Sequence, residues 1–163
     1  MNVNRVIHEA LTESGICPCV SVPCRQLAPL LSLLERDPGR NLIYPAREEE
    51  GLGICAGAYL AGLFPVMIIQ NSGLGNLVNA YCSLNQFFGI PVFFIISHRG
   101  GAIEPIDAQK PMGAITPRLL DILNIPSTEL TGPDQAEEVY GHLNRYRQSR
   151  RSHALLLPAE FWR

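Results

Sequence analysis

Pro65-Val66-Met67-Ile68-Ile69-Gln70-Asn71-Ser72-Gly73-Leu74-Gly75-Asn76 decides how the fold is read. Residues 65–70 are apolar almost without interruption and show no alternation of apolar and polar positions. A strand with one wet face alternates with a period of two, so an unbroken apolar run belongs to a strand covered on both faces. The polar, glycine-bearing residues 71–76 predict a turn into a helix that runs to about Phe88. Their Gly-x-Gly lacks the third glycine of a dinucleotide fingerprint and the Lys-Ser/Thr of a phosphate-binding loop. Taken alone, a tight strand-to-helix turn is the better reading.

The same unit recurs on either side. Upstream, 42–44 reads as a strand and 48–60 as a helix rich in Gly and Ala. Before them come a helix over 4–14, ended by Gly15, a strand over 16–22 stopped by Pro23, and a leucine-rich helix over 25–36. Downstream, 91–96 is another fully apolar strand, and 97–112 reads as a long loop. Helices over 115–124 and 133–149 and strands over 126–130 and 154–157 complete the chain. Strands that alternate with helices and lack a period of two predict an α/β fold. We expect a doubly wound, mostly parallel sheet with helices on both faces and flavodoxin-like layering. Residues 1–163 show no repeat or linker, so they are read as one domain. Ligands of such sheets bind beyond the carboxyl ends of the strands. The polar segments 23–25, 45–50, 70–76 and 97–113 are expected to converge there.

Bulk properties exclude several functions. The chain is 47% hydrophobic and 17% charged, with a formal net charge of −2. That balance leaves no electrostatic footprint for nucleic acid or an anionic membrane. No segment approaches the roughly 18–20 apolar residues of a membrane span, and the N-terminus lacks a secretory pattern, so a cytoplasmic location is expected. The five cysteines include no Cys-x-x-Cys and read as reduced thiols. The four histidines show no metal-ligand spacing, so no metal site is expected in this chain. One basic cluster, Arg145 to Arg151, ends a polar helix and reads as a solvated face or an anion contact.

Two segments carry candidate chemistry. Glu48-Glu49-Glu50 opens the 48–60 helix, where acids suit the helix dipole and one carboxyl could instead meet a cofactor. The long segment 97–113 holds His98, Arg99, Asp107 and Lys110, a set able to engage an anionic substrate or simply to form a solvated lid.

Three blocks taken together carry a more specific signal. They are Glu48-Glu49-Glu50-Gly51 through Ala56-Gly57-Ala58-Tyr59-Leu60-Ala61, then Gln70-Asn71-Ser72-Gly73-Leu74-Gly75-Asn76, then Ser97-His98-Arg99-Gly100. Their order and spacing resemble the pyrimidine-binding domain of thiamine-diphosphate-dependent decarboxylases, nearest to the sulfopyruvate and phosphonopyruvate decarboxylases. In that family a glutamate nine residues before the glycine of an Ala/Asp-Gly helix motif contacts N1′ of the aminopyrimidine. Counting back from Gly57 selects Glu48 as the catalytic carboxyl. Such a carboxyl favours the imino tautomer and makes the cofactor's own amino group a competent base. The carbon chemistry belongs to the cofactor, and the protein supplies placement.

The resemblance further implies that Ser72 and Gly73 face the cofactor, and that Gln70 and Asn71 face the substrate. Cys24, Arg25, Gln109 and Lys110 are weaker substrate-side candidates, the two cations suiting a sulfonate or phosphonate. The family's Gly-Asp-Gly…Asn motif, which holds magnesium and through it the diphosphate, does not occur here. The resemblance therefore implies the α chain of a two-chain enzyme. Its β partner would carry the magnesium- and diphosphate-binding domain. The implied reaction is decarboxylation of 3-sulfopyruvate to sulfoacetaldehyde, a step toward coenzyme M. The alternatives are a phosphonopyruvate decarboxylase subunit and a non-catalytic partner-binding α/β subunit.

Overall fold

The computed structural model describes residues 2–162. The elements in chain order are α1 (Val3–Glu13), β1 (Cys19–Ser21), α2 (Ala28–Glu35), β2 (Leu42–Ile43), α3 (Glu48–Leu60) and β3 (Val66–Gln70). They continue with α4 (Asn71–Ala80), β4 (Phe93–His98), α5 (Lys110–Ile122), β5 (Ser127–Glu129), α6 (Glu138–Ser149) and β6 (His153–Pro158). Helix α4 runs on as a π-helical segment, Tyr81–Gln86.

All six strands form one sheet in the order β2-β1-β3-β4-β6-β5, and every pair is parallel. Alternate residues of the apolar strands point to opposite faces, and helices cover both. Val66, Ile68, Phe93, Ile95, Leu155 and Leu157 pack with residues of α1, α2 and α6. Met67, Ile69, Phe94, Ile96, Ala154 and Leu156 pack with residues of α3, α4 and α5. Two hydrophobic layers therefore sandwich the sheet, and burying that apolar surface is the dominant stabilisation of such a domain.

From β1 the chain moves outward to β2 and then returns to β3 on the other side of β1. The direction of winding reverses between β1 and β3, which opens a crevice at their carboxyl ends. The structure thus has the doubly wound sheet expected from the sequence, with a wholly parallel arrangement.

Two local expectations are corrected. Residues 71–76 are not a turn, because α4 begins at Asn71 directly from the extended Gln70 (φ −80°, ψ 150°). The segment 97–113 is not all loop either. Asp107–Gln109 form a 3-10 turn, and α5 starts at Lys110 with Pro111 in its first turn, where a missing N–H costs nothing. Close backbone approach explains the glycines there. A Cβ on Gly100 (φ +96°) would lie 2.8 Å from Gly113 Cα, and one on Gly113 would lie 2.7 Å from Gly100 Cα. Bare backbone at both positions lets α5 dock against the loop.

Candidate active site

The three acids at the start of α3 have three different fates. Glu49 turns outward to the Arg47 guanidinium at 3.5 Å. Glu50 folds back to accept a hydrogen bond from the Ala46 backbone N–H at 3.1 Å, which satisfies a donor ahead of the helix. Glu48 crosses to α4. Its Oε2 accepts from Asn76 Nδ2 at 3.0 Å, and its side chain lies over Gly73. A Cβ built on Gly73 would stand 2.6 Å from Glu48 Cγ and 2.7 Å from Cδ, so any side chain at 73 would displace the carboxyl. Glu48 Oε1 accepts no hydrogen bond from the described residues. Gly73 and Asn76 are three residues apart and share one face of α4.

A second group stands at the end of β3. Gln70 Nε2 donates to Ser72 Oγ at 2.8 Å and to Gln109 Oε1 at 3.2 Å. Gln70, Ser72 and Gln109, each assigned to the site from sequence, are therefore brought together. Lys110, one residue on, is half exposed and holds Asp107 at 2.7 Å.

Asn71 plays another part. It is fully buried, with Nδ2 donating to Arg99 O (3.0 Å) and Thr116 Oγ1 (3.1 Å) while Oδ1 accepts from Arg99 N (3.0 Å). Its position between β3, the 99–106 loop and α5 makes it a clamp, since both ends of its amide are committed to the fold.

Arg25 lines a cleft of about 290 Å3 with Gln26, Arg99, Glu104, Pro105 and Ala159, at the same carboxyl edge of the sheet. Arg99 is held bidentately by the buried Glu104, with both contacts at 2.6 Å. The Arg99 bond, together with N–H donors from Gly100 and Ile106, brings the Glu104 carboxyl down to about 2 despite burial. Arg25, by contrast, forms no ion pair among the described residues. Cys24 is a half-buried free thiol packed against the α1/α2/α6 core. His98 bridges Glu129 (3.2 Å) and the Gly113 carbonyl (3.1 Å), tying β4 to β5 and α5.

Sequence reasoning missed Asn76 and Glu104 as parts of this edge. Asn76 had a signal, the three-residue spacing from Gly73 on one helix face. Glu104, a single acid between Ile103 and Pro105, had none. Among the described residues, no group of three or more His, Cys, Asp or Glu side chains could hold a metal ion, and no helix is long and apolar enough to cross a membrane.

Glu48 is thus seated on the bare glycine of α4, with one oxygen held by Asn76 and the other without a hydrogen bond among the described residues. Relatives that share this sequence place the chain in the class of thiamine-diphosphate-dependent decarboxylases. The chain is 43% identical, over 99% of its length and 96% of the relative's, to the sulfopyruvate decarboxylase subunit alpha of Methanocaldococcus jannaschii. It is 44% identical to the protein of the same name from Methanococcus maripaludis, over 83% of this chain and 81% of that one. A phosphonopyruvate decarboxylase of Streptomyces viridochromogenes is 35% identical over 80% of this chain but only 32% of its own. No family model matches. The chain belongs to the sulfopyruvate decarboxylase alpha-subunit family, whose members are carbon–carbon lyases.

Proposed function

We propose that this chain supplies the pyrimidine-binding half of a two-chain thiamine-diphosphate enzyme that decarboxylates 3-sulfopyruvate to sulfoacetaldehyde and CO2. The observation that carries the reading is Glu48 lying across Gly73, with Oε1 against the glycine and without a hydrogen bond among the described residues and Oε2 fixed by Asn76. Thiamine diphosphate, when bound, supplies the electron sink into which the carbon–carbon bond breaks. Glu48 Oε1 is the atom that holds the proton shared with the ring nitrogen. Gly73 keeps the floor of the site flat, and Asn76 fixes the carboxyl's rotation. Gln70, Ser72 and Gln109 offer amide and hydroxyl groups to the 2-oxo acid, and Asn71 holds the wall behind them.

Arg25 is the sulfonate's partner. Arg99 is matched by Glu104 and Lys110 by Asp107, which leaves Arg25 as the site-edge cation without a carboxylate. A single free guanidinium suits a sulfonate, which carries one charge, better than a phosphonate, which carries up to two. The higher identity to the sulfopyruvate enzymes points the same way.

The diphosphate and its magnesium fall to a partner chain. Relatives of matching length are named subunit alpha, and the phosphonopyruvate relative is a longer single chain. The outer face of α3 is a candidate docking surface for that partner. Gly53 and Gly57 have open space above them, Leu60 is 72% exposed, and an apolar cleft of about 590 Å3 runs along Ile43, Ile54, Gly57, Ala58 and Leu63.

The test is Glu48→Gln in the assembled enzyme. Turnover should fall by roughly 10²–10⁴-fold while sedimentation shows intact assembly; full turnover in that variant would end the reading. Comparing kcat/KM for 3-sulfopyruvate and 3-phosphonopyruvate decides the substrate. Arg25→Gln should raise KM for sulfopyruvate and leave that for unsubstituted pyruvate unchanged.

A further inference from the structure

Gln26 lines the same cleft as Arg25 and has no task in the site described so far. It stands in the turn 25–27 that leads into α2. Backbone bonds from Leu27 N to Cys24 O (3.2 Å) and from Ala28 N to Arg25 O (3.4 Å) close that turn, and Leu27 is wholly buried. The backbone at residue 26 is therefore fixed at the carboxyl edge of the sheet.

The side chain is fixed as well. A glutamine in a surface turn ordinarily gives its amide to water. Here the amide reaches inward to Ser97, a fully buried residue of β4, whose Oγ donates to Gln26 Oε1 at 2.7 Å. Among the described residues the Ser97 hydroxyl has no other acceptor, so its proton commits the amide oxygen. An amide that accepts at oxygen keeps both N–H donors. Gln26 Nε2 makes no hydrogen bond among the described residues, yet it is not one of the buried unpaired atoms, so it is open to solvent.

This donor stands close to the amide cluster. Gln70 of β3 and Ser97 of β4 are register partners, so their side chains leave the sheet from one face, roughly 4.8 Å apart. A 2-oxo acid held at Gln70 thus has the Ser97–Gln26 pair on the next strand. Charge in the cleft is sparse. Glu104 neutralises Arg99 bidentately, and Arg25 alone forms no ion pair among the described residues. A guanidinium fork engages two oxygens of an anion, and a sulfonate has three. A neutral N–H donor completes that set without adding a second positive charge.

Resting on the sulfopyruvate reading of this site, we infer that Gln26 is a further specificity-determining residue, its Nε2 donating to the sulfonate oxygen that Arg25 leaves free.

Two substitutions in the assembled enzyme separate this role from a merely structural one. Gln26→Met keeps the side chain's length but loses both the Ser97 bond and the donor. Gln26→Glu keeps an oxygen for Ser97 and puts a carboxylate where the donor stood. Substrate recognition ranks Gln26→Glu below Gln26→Met, whereas a structural role ranks them the other way. KM for 3-sulfopyruvate should rise at least about tenfold in Gln26→Met and further in Gln26→Glu, with kcat within about threefold of the unaltered enzyme in both. Sedimentation and melting temperature should show Gln26→Glu folded and assembled, so its KM tests the role even where Gln26→Met fails to fold. A rise in KM below about threefold in Gln26→Glu, a KM in Gln26→Glu no higher than in Gln26→Met, or a fall in kcat with KM unchanged would each overturn the proposal. Any of these, with the unaltered assembly still decarboxylating 3-sulfopyruvate, leaves the parent reading standing. No turnover of 3-sulfopyruvate by the unaltered assembly would end both.

Discussion

At Gly73 the backbone of α4 is bare where the Glu48 side chain lies across it, and this single contact separates one acid of the triplet from its neighbours. Glycine is not needed there for an unusual φ, because residue 73 is ordinary helix. It is needed because a methyl group would occupy the space of Glu48 Cγ. That makes Gly73→Ala informative. Alanine favours a helix over glycine by roughly 0.5–1 kcal/mol, so the folded chain should melt no lower than before. The carboxyl, pushed aside by about 1 Å, should lose about 10²-fold in kcat. Equal kcat in the assembled enzyme would mean that the seat on Gly73 does not set the carboxyl's position. At this scale the sequence singled out Glu48 only through the family resemblance, by its nine-residue spacing to Gly57, and was silent about the seat on Gly73.

Among the elements, the 99–106 loop is the one whose order rests on polar ties. Glu104 gathers Arg99, Gly100 and Ile106 around one buried carboxylate, and Asn71 pins Arg99 from below. The folded-state value of Glu104, about 2, lies below its ordinary 4.5. Its contribution is therefore complete above about 4.5, shrinks as pH falls through that window, and is gone below about 2. Melting temperature measured from pH 7 to 2 should show this decline. Glu104→Gln should remove that part of it and cost roughly 2–3 kcal/mol at neutral pH, because Arg99 is left uncompensated. An unchanged acid limb in the variant would place the pH dependence elsewhere. The loop's paired glycines and Pro105 concealed this order from sequence reasoning. The helix signal of 110–114 was masked by Pro111 and Gly113, whose roles depend on a backbone neighbour rather than on local propensity.

For the whole molecule, the carboxyl edge of the sheet carries the Glu48 seat on α4, the Gln70–Ser72–Gln109 cluster and, in a cleft of its own, Arg25. The described residues form no cluster of three acidic, thiol or imidazole groups able to hold a metal. Under the two-chain reading, the isolated chain should bind thiamine diphosphate weakly or not at all, even with magnesium, and should gain affinity when its partner is added. Micromolar binding by the chain alone, measured calorimetrically, would contradict the division of the site. The sequence by itself determined the succession of strands and helices, the burial of both sheet faces and the family, because apolar periodicity and motif spacing are local properties of a chain. Only the tertiary structure decided that Glu48 rather than Glu49 or Glu50 reaches α4, that Asn71 is a clamp, and that Glu104 anchors the loop. Two of those contacts join residues 28 positions apart, Glu48 to Asn76 and Asn71 to Arg99, and they exist only once β3 has seated α4 beside α3 and beneath the loop. Glu104 is near Arg99 in sequence, but its burial comes from that same packing, which no local pattern encodes.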